Sequence, residues 1–581
     1  MSERILVAVA WPYANSDIHL GHVTGVYLPA DIFARYHRLI GNEVLMVSGS
    51  DSHGTPITIT AEREGISPAE VVERYHTRFL KSWMDLGITF DLFTHTDTEN
   101  HWAVTQDMFL RLLEKGYIYR DKTRQLYCES CGKFLPDRYV EGTCPYCGFQ
   151  DARGDQCDKC GKPLDATELI HPRCKICGHA PVVRESEHFF LDLQQFSERL
   201  HSWIEVQTHW RPNVLNFSLN LLREGLHGRA ITRDIEWGIP VPVKGFEHKR
   251  IYVWFDAVIG YLAASKEWAV IIGQPEAWRD WWQGPSRAYY FLAKDNIPFH
   301  TIIWPSMLMG YGGLNLPYDV PANEFLNLEG QKFSSSRNWA VWLPDYLSRY
   351  DPDPLRYTLT INMPEQADTN FTWGEFLRRN NDELVATYGN LAHRVLTFTF
   401  RNFDERVPEP GELTAQDQAI LARAENAFGP VGELIASCKF KAAITEVMAV
   451  AHEANRYLDE AAPWLVIKQD RARAATACYV TLRVVDNLKM LFYPFLPFSS
   501  QRLHEMLGYE NDLLGRQFTE THQETTRTHQ VLRYDPRPIH AKWAPSELPV
   551  GQRLREPVPL FKKLDEEIVE QEVARLGRTA L

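Results

Sequence analysis

Four CxxC pairs crowd into residues 128–177 of this chain: Cys128/Cys131, Cys144/Cys147, Cys157/Cys160 and Cys174/Cys177. No other feature limits the possible folds so sharply. A glycine follows each pair, at Gly132, Gly148, Gly161 and Gly178. CxxC-G is a knuckle, in which two sulfurs project toward one point and the glycine relaxes the turn beneath them. Four knuckles supply two tetrahedral Cys₄ sites. The intervening stretch is loop-rich and poor in apolar residues, so metal must hold it, each ion contributing roughly 10–16 kcal/mol of apparent binding energy. Disulfides are the alternative, disfavoured because the start MSERILVAVAWPY lacks the basic and long apolar regions of a secretory signal. Zinc is expected, and since thiolates fill every position it should be structural, with no place for a catalytic water.

Cys438 and Cys478 lie in helical patterns and read as core thiols. At 581 residues the chain is long enough for two to four domains with substantial cores. No apolar run approaches the ~20 residues needed to span a bilayer, so a cytosolic protein without membrane contact is expected. The net charge of -13 argues against nucleic-acid binding by bulk attraction; any such contact must come from local basic surface or from stacking and shape.

Residues 4–10, RILVAVA, hold the continuous apolar run Ile5 to Ala10, the mark of a strand buried on both faces of a parallel sheet. Pro12, Asn15, Ser16 and Asp17 are loop and cap types, and from His19 the pattern through Val23, Val26, Ile32 and Leu39 suits a helix ending at Gly41. His19 and His22 then share the first helical turn. Unpaired N–H groups and the helix dipole make such a place an anion site, where two imidazoles can donate to phosphate and Gly21 lets a flat base approach the backbone. Capping and packing of a helix is the plainer role for the pair.

His19-Leu-Gly-His22 resembles the first signature of class I aminoacyl-tRNA synthetases, and Lys332-Phe-Ser-Ser-Ser336 resembles the second. "PYAN", "DSHGTPI", "LPDRYVEGTCPYCG", "SEHFFLDL", "YVWFDAVIGYL", "KDNIPFH", "WPSML" and "APW" follow the order and spacing of the methionyl-specific family over about residues 4–500. The resemblance implies an α/β Rossmann nucleotide-binding domain interrupted by a zinc-knuckle insertion and followed by an all-α anticodon-binding bundle. The expected divisions are 1–118 and 186–325 for the Rossmann halves, 119–185 for the insertion, 326–375 for the second-signature loop and linker, 376–510 for the bundle, and 511–581 as a polar, peripheral segment. In the second half, KRIYVWFDAVIGYL reads as strand-like. Leu377, Leu384, Leu391 and Phe398 recur every seven residues, and further helices fit 415–428, 440–459, 471–492 and 499–507.

The resemblance also implies residue roles. His19, His22 and Lys332 stabilise the transition state, and Gly21, Asp295 and Ser335 join them in binding ATP with Mg²⁺. Tyr13, Asp51, Trp254, Tyr261, Phe299, His300 and Trp304 receive L-methionine: Asp51 pairs with the ammonium, Arg233 orients Asp51, and His300 or Tyr261 offers sulfur a polar contact. A nearby cation should hold Asp51 ionised. A thioether has no strong hydrogen bond, so shape, dispersion and sulfur–aromatic contact must select it. Cys144, Cys147, Cys157 and Cys160 share one zinc, and Cys128, Cys131, Cys174 and Cys177 the other. Asn390, Arg394 and Trp464 read the anticodon of tRNA(Met), initiator included, Trp464 by stacking.

Departures from the pattern bear on the chemistry. Ser335 and Phe333 stand where the second signature has lysine and methionine, and a serine cannot neutralise phosphate; either Lys332 with magnesium suffices or Arg337 compensates. Trp11 and Val258 replace the usual leucine and proline. Synthetases for valine, isoleucine or leucine carry a longer editing insertion, and a cysteinyl enzyme holds zinc in its catalytic pocket. A non-catalytic, zinc-stabilised RNA-binding protein finds encouragement only in Ser335. A monomer is expected, because too few residues follow 510 for the RNA-binding domain of dimeric relatives.

Overall fold

The computed structural model describes residues 2–136, 139–154, 157, 159–160, 164–537 and 541–578. Gly161, and Asp137 and Arg138 of the quoted motif, lie outside the described residues. In chain order, β1 (Arg4–Val9), β2 (Glu43–Ser50) and β3 (Leu92–His95) run parallel, with Val7 opposite Met46 and Ser50 opposite His95. A long antiparallel ribbon of β4 (Ile118–Cys128) and β5 (Val182–Leu191) carries the cysteine block away from the sheet. The chain returns with β6 (Ser286–Ala293) parallel to β1, and β7 (Ala322–Asn323) beyond it. Every residue of β1 after Arg4 is fully enclosed, as a strand between two parallel neighbours and covered on both faces must be.

Two expectations fail here. KRIYVWFDAVIGYL is strand only at Arg250–Ile251; from Val253 it is the helix α2 (Val253–Ile271), following α1 (Leu28–Leu39). α2 is buried nearly all round, including Asp256 and Glu267, so it shows no amphipathic period, and short apolar runs of strand and buried helix look alike. The segment after 510 is not peripheral. β8 (Arg516–Gln523) and β9 (Thr528–Asp535) form a hairpin whose β9 pairs antiparallel with β3, giving the sheet order β7-β6-β1-β2-β3-β9-β8. Its polar composition fits the outer edge strand β8, whereas β9 buries Val531 on one face of the sheet and Leu532 on the other.

The C-terminal half is helical, with α3 (Asn390–Asn402), α4 (Ala415–Asn426), α5 (Phe440–Ala461), α6 (Arg471–Phe492) and α7 (Pro497–Met506). Leu384 and Leu391 of the seven-residue stripe are buried. A buried cluster joins this half to the sheet. Asp31 on α1 meets Arg35 at 2.9 Å and Arg356 at 2.7 Å, and Arg356 also donates to the carbonyls of Leu86, Pro494 and Phe495. The two guanidinium groups hold Asp31 at about 2 despite its burial. Removing one partner from such a buried group costs roughly 3–5 kcal/mol.

Candidate active site

The direction of chain travel across the sheet reverses between β1 and β6. From β1 the chain moves outward to β2 and β3, and later to β6 and β7 on the other side. Open α/β sheets bind ligands in the crevice at the carboxyl ends of the strands where this reversal falls. The loop after β1 carries Trp11 to His22, and the turn after β6 carries Asp295 to His300. A third wall comes from the β2 end, where Tyr13 bridges to Asp51.

His19 caps the short helix Leu20–His22 in an extended conformation. Its Nδ1 accepts from the His22 backbone N–H at 3.4 Å, and Nδ1 of His22 accepts from the His19 N–H at 3.3 Å. With both Nδ1 atoms accepting, the ring protons sit on Nε2, the atoms left to face a ligand. The rings stack 3.6 Å apart. Burial, and for His19 also its neighbour, lowers both, His22 to about 4. Both are therefore neutral donors at pH 7. Capping and donation coexist in this geometry because they use different nitrogens. A Cβ at Gly21 would stand 3.0 Å from the His19 ring and 3.3 Å from Phe333, so a larger residue there would crowd the stack.

Phe333 stacks on the other face of His19, 4.7 Å between centroids. Lys332 ends the short strand Gln331–Lys332 and is exposed, with the Asp368 carboxylate as a nearby charge. Ser335 is exposed, and Arg337 Nε donates to Ser334 Oγ at 3.1 Å. Asp295 is exposed at the turn after β6 and accepts from the Asn296 amide.

Asp51 is buried and accepts the His53 backbone N–H at 3.2 Å. Burial and the Asp256 carboxylate push it well above the usual range, while His53 pulls it down. Arg233 makes no ion pair with it, contrary to expectation. Its guanidinium donates to the Ala230 and Thr232 carbonyls and stacks on Tyr252 at 3.8 Å. The neighbouring cation is instead His53, 2.8 Å from Asp256; burial opposes its charge, but Asp256 and Asp97 outweigh burial and raise it to about 10. Sequence reasoning missed His53 and Asp256. The acid within the apolar stretch VWFDAVIGYL is the signal that could have found Asp256, since a buried carboxylate needs a partner.

Between these walls lies an aromatic group. Tyr261 Oη is 2.8 Å from His300 Nε2, and His300 Nδ1 is 2.9 Å from the Asn296 carbonyl. The carbonyl takes the ring proton, so Tyr261 donates to His300 and neither retains a proton for sulfur. Trp304 is fully buried and donates to Tyr290 at 3.0 Å. Trp254 packs edge-on against Phe299 at 4.8 Å and donates to Tyr13 Oη at 3.2 Å, while remaining 42% exposed. Trp11 lies over Gly49 and Gly260, where added Cβ atoms would fall 2.2 and 2.6 Å from its ring. The two glycines thus leave the room that the indole, larger than a leucine side chain, occupies.

The cysteines gather as two tetrads, Cys128/Cys131/Cys174/Cys177 and Cys144/Cys147/Cys157/Cys160, each with its sulfurs within 4.8 Å of one another. Cross-knuckle sulfur separations are 3.4, 3.9, 3.9 and 3.6 Å. A tetrahedron with metal–sulfur bonds of about 2.3 Å has edges of about 3.8 Å, so each tetrad can hold a zinc ion, and the separations far exceed a disulfide bond.

A family model described as "tRNA synthetases class I (M)" matches residues 5–396, and one for the "Anticodon binding domain of methionyl tRNA ligase" matches 407–533. The chain belongs to the class I methionyl-tRNA synthetases. It is 59% identical over 580 residues to a methionine-tRNA ligase of Thermomicrobium roseum, with 99% of each chain covered. It is 56% identical over 601 residues to that of Chloroflexus aurantiacus, covering all of both. The structure of Mycobacterium tuberculosis methionyl-tRNA synthetase bound by methionyl-adenylate shares the fold, with a TM-score of 0.75, 24% identity, and coverage of 97% of this chain and 100% of that one.

Of the three residues expected at the anticodon, Trp464 lies within the stretch matched to the anticodon domain, whereas Asn390 and Arg394 lie on α3, at the end of the stretch matched to the synthetase model. Asn390 is exposed at the start of α3, and Arg394 one turn on pairs with Asp459 at 2.7 Å. The Arg394 guanidinium lies over the Trp464 ring at 4.6 Å. Trp464 is half-buried on the short turn Pro463–Val466, beside a strongly exposed Leu465. Among the described residues no helix is long and apolar enough to cross a membrane.

Proposed function

We propose that this synthetase activates L-methionine with ATP and transfers the methionyl group to the 3′ adenosine of tRNA(Met), initiator tRNA included. The methionine carboxylate attacks the α-phosphorus in line, the bond to the bridging oxygen breaks, and pyrophosphate leaves. The terminal adenosine hydroxyl then attacks the adenylate carbonyl, loses its proton and expels AMP. Positioning and charge stabilisation suffice, with no covalent nucleophile.

The Phe333–His19 stack is the observation that carries this reading, because it brings both signatures to the reversal point of the sheet. On it, the two Nε2–H groups donate to phosphate oxygens as charge builds there, and Lys332 adds a mobile cation. Asp295 accepts from the ribose hydroxyls. Asp51, starved of solvent, regains its charge when the substrate ammonium arrives. Tyr13, Trp254, Phe299 and the Tyr261–His300 pair surround the thioether, with Trp304 behind them, and dispersion selects it. Magnesium, bound with ATP, neutralises phosphate charge. Zinc in both tetrads folds the insertion and takes no part in the chemistry. Asn390, Arg394 and Trp464 receive the anticodon.

The catalytic domain in this reading spans 1–118 and 186–325 with the linker to 375, and 511–581 joins it through the β8–β9 hairpin; the bundle is 376–510. A cytosolic monomer is proposed. Methionine-dependent exchange of labelled pyrophosphate into ATP, followed by charging of tRNA(Met), tests the reaction; no exchange with any amino acid would favour an RNA-binding protein.

A further inference from the structure

Residues 567–578 leave the helical half and return to the loop that bears the second signature. The helix α8 (Glu567–Val573) is fixed by Glu572, only 4% exposed, which accepts from Arg349 Nε at 2.9 Å, Arg349 Nη2 at 2.8 Å and Tyr350 Oη at 2.9 Å. Beyond it the Gly577 N–H donates to the Asn338 carbonyl at 3.0 Å. The Asn338 side-chain amide donates in return to the Arg578 carbonyl. Both joined residues are in the left-handed region, Asn338 at φ 50° and Gly577 at φ 73°, a conformation asparagine and glycine tolerate best.

The contact does not end at Asn338. Its Oδ1 accepts from Trp342 Nε1 at 2.8 Å, and the Trp342 backbone bridges to His19. Trp339, next to Asn338, donates to the Leu328 carbonyl at 3.0 Å, pairs with Ser334 across the loop and lies against Gly577. The loop 332–339 is thus held on one side by the His19–Phe333 stack and on the other by Gly577 and Arg578. Lys332, Ser335 and Arg337 are exposed between these two holds.

We propose that residues 572–578 are a clasp that sets the position of the second-signature loop for the ATP step, with Glu572 and Gly577 as positioning residues. The proposal rests on Lys332 being an ATP contact. A clasp of this kind lowers the entropy the loop loses on meeting phosphate, and it matters more where Ser335 leaves the loop one cation short.

Gly577→Pro removes the donor and cannot adopt a positive φ; Glu572→Gln weakens the anchor of α8. Limited trypsin digestion of the full chain reads the loop directly, because Lys332 and Arg337 are its cleavage points. Cleavage there should quicken by about fivefold or more in Gly577→Pro, and the KM for ATP in pyrophosphate exchange should rise by a similar factor. The KM for methionine should stay within about twofold, since the clasp does not reach that pocket. Native cleavage and native ATP KM in both variants would overturn the proposal, as would equal losses for ATP and methionine. If Lys332→Ala leaves the ATP KM and turnover unchanged, Lys332 is no ATP contact, and the clasp is then upheld or overturned by the cleavage rates alone.

Discussion

Phe333 lies flat on His19, their rings 4.7 Å apart and within 14° of parallel. The stack seals one face of the first imidazole while His22 covers the other at 3.6 Å, so the His19 ring is held in place before any substrate arrives. A donor that needs no reorganisation stabilises developing charge more effectively than a free one.

His22→Ala should therefore slow adenylate formation by roughly ten- to a thousandfold. Single-turnover formation of methionyl-adenylate measures it, and an unchanged rate would remove His22 from the mechanism.

Trp11 fills space against Gly260, and a Cβ there would fall 2.6 Å from the indole. Gly260→Ala should displace Trp11 and raise the methionine KM by about tenfold, a cost of about 1.4 kcal/mol. Adding Trp11→Leu should restore much of the loss. If the double variant binds methionine no better than the single one, Trp11 does not shape the pocket.

Acid should destabilise this fold through its buried neutral histidines. Burial holds His37, His76 and His300 at about 4, against about 6.5 in an unfolded chain. The unfolded state binds more protons between those values, so their contribution is complete above pH 6.5 and is lost as pH falls toward 4. Calorimetric unfolding near pH 5.3, in buffers of different ionisation enthalpy, should show about one proton fewer taken up for each of these rings replaced, as in His37→Gln. Unchanged uptake in such variants would mean that these rings are not buried in the neutral form.

Full loading should give about two zinc ions per chain, one for each Cys₄ tetrad. Cys157→Ser should leave about one, and chelation should unfold the insertion before the sheet, seen as early proteolysis within residues 128–177. Unchanged metal content in Cys157→Ser would break the assignment of that tetrad.

Trp464→Ala should weaken tRNA charging by about tenfold while leaving pyrophosphate exchange intact, since one stacked base is worth roughly 1–3 kcal/mol. Equal loss in both assays would make Trp464, packed under Arg394, a folding residue.

Local chemistry made much of this molecule legible before folding. The apolar run before Trp11 is an interior strand as it reads, the CxxC-G knuckles pair into tetrads, and helices at 415, 440 and 471 begin where their periodicity begins. Such signals depend on neighbours a few residues away. Tertiary packing decided the rest. Whether YVWFDAVIGYL became helix depended on burial all round, whether Arg233 met Asp51 depended on carbonyls and a tyrosine from other segments, and a polar tail became a sheet edge because β3 had an open side. The clasp of Gly577 on Asn338 leaves no pattern in either segment, since a contact between distant pieces of chain is set by the shape of everything between them.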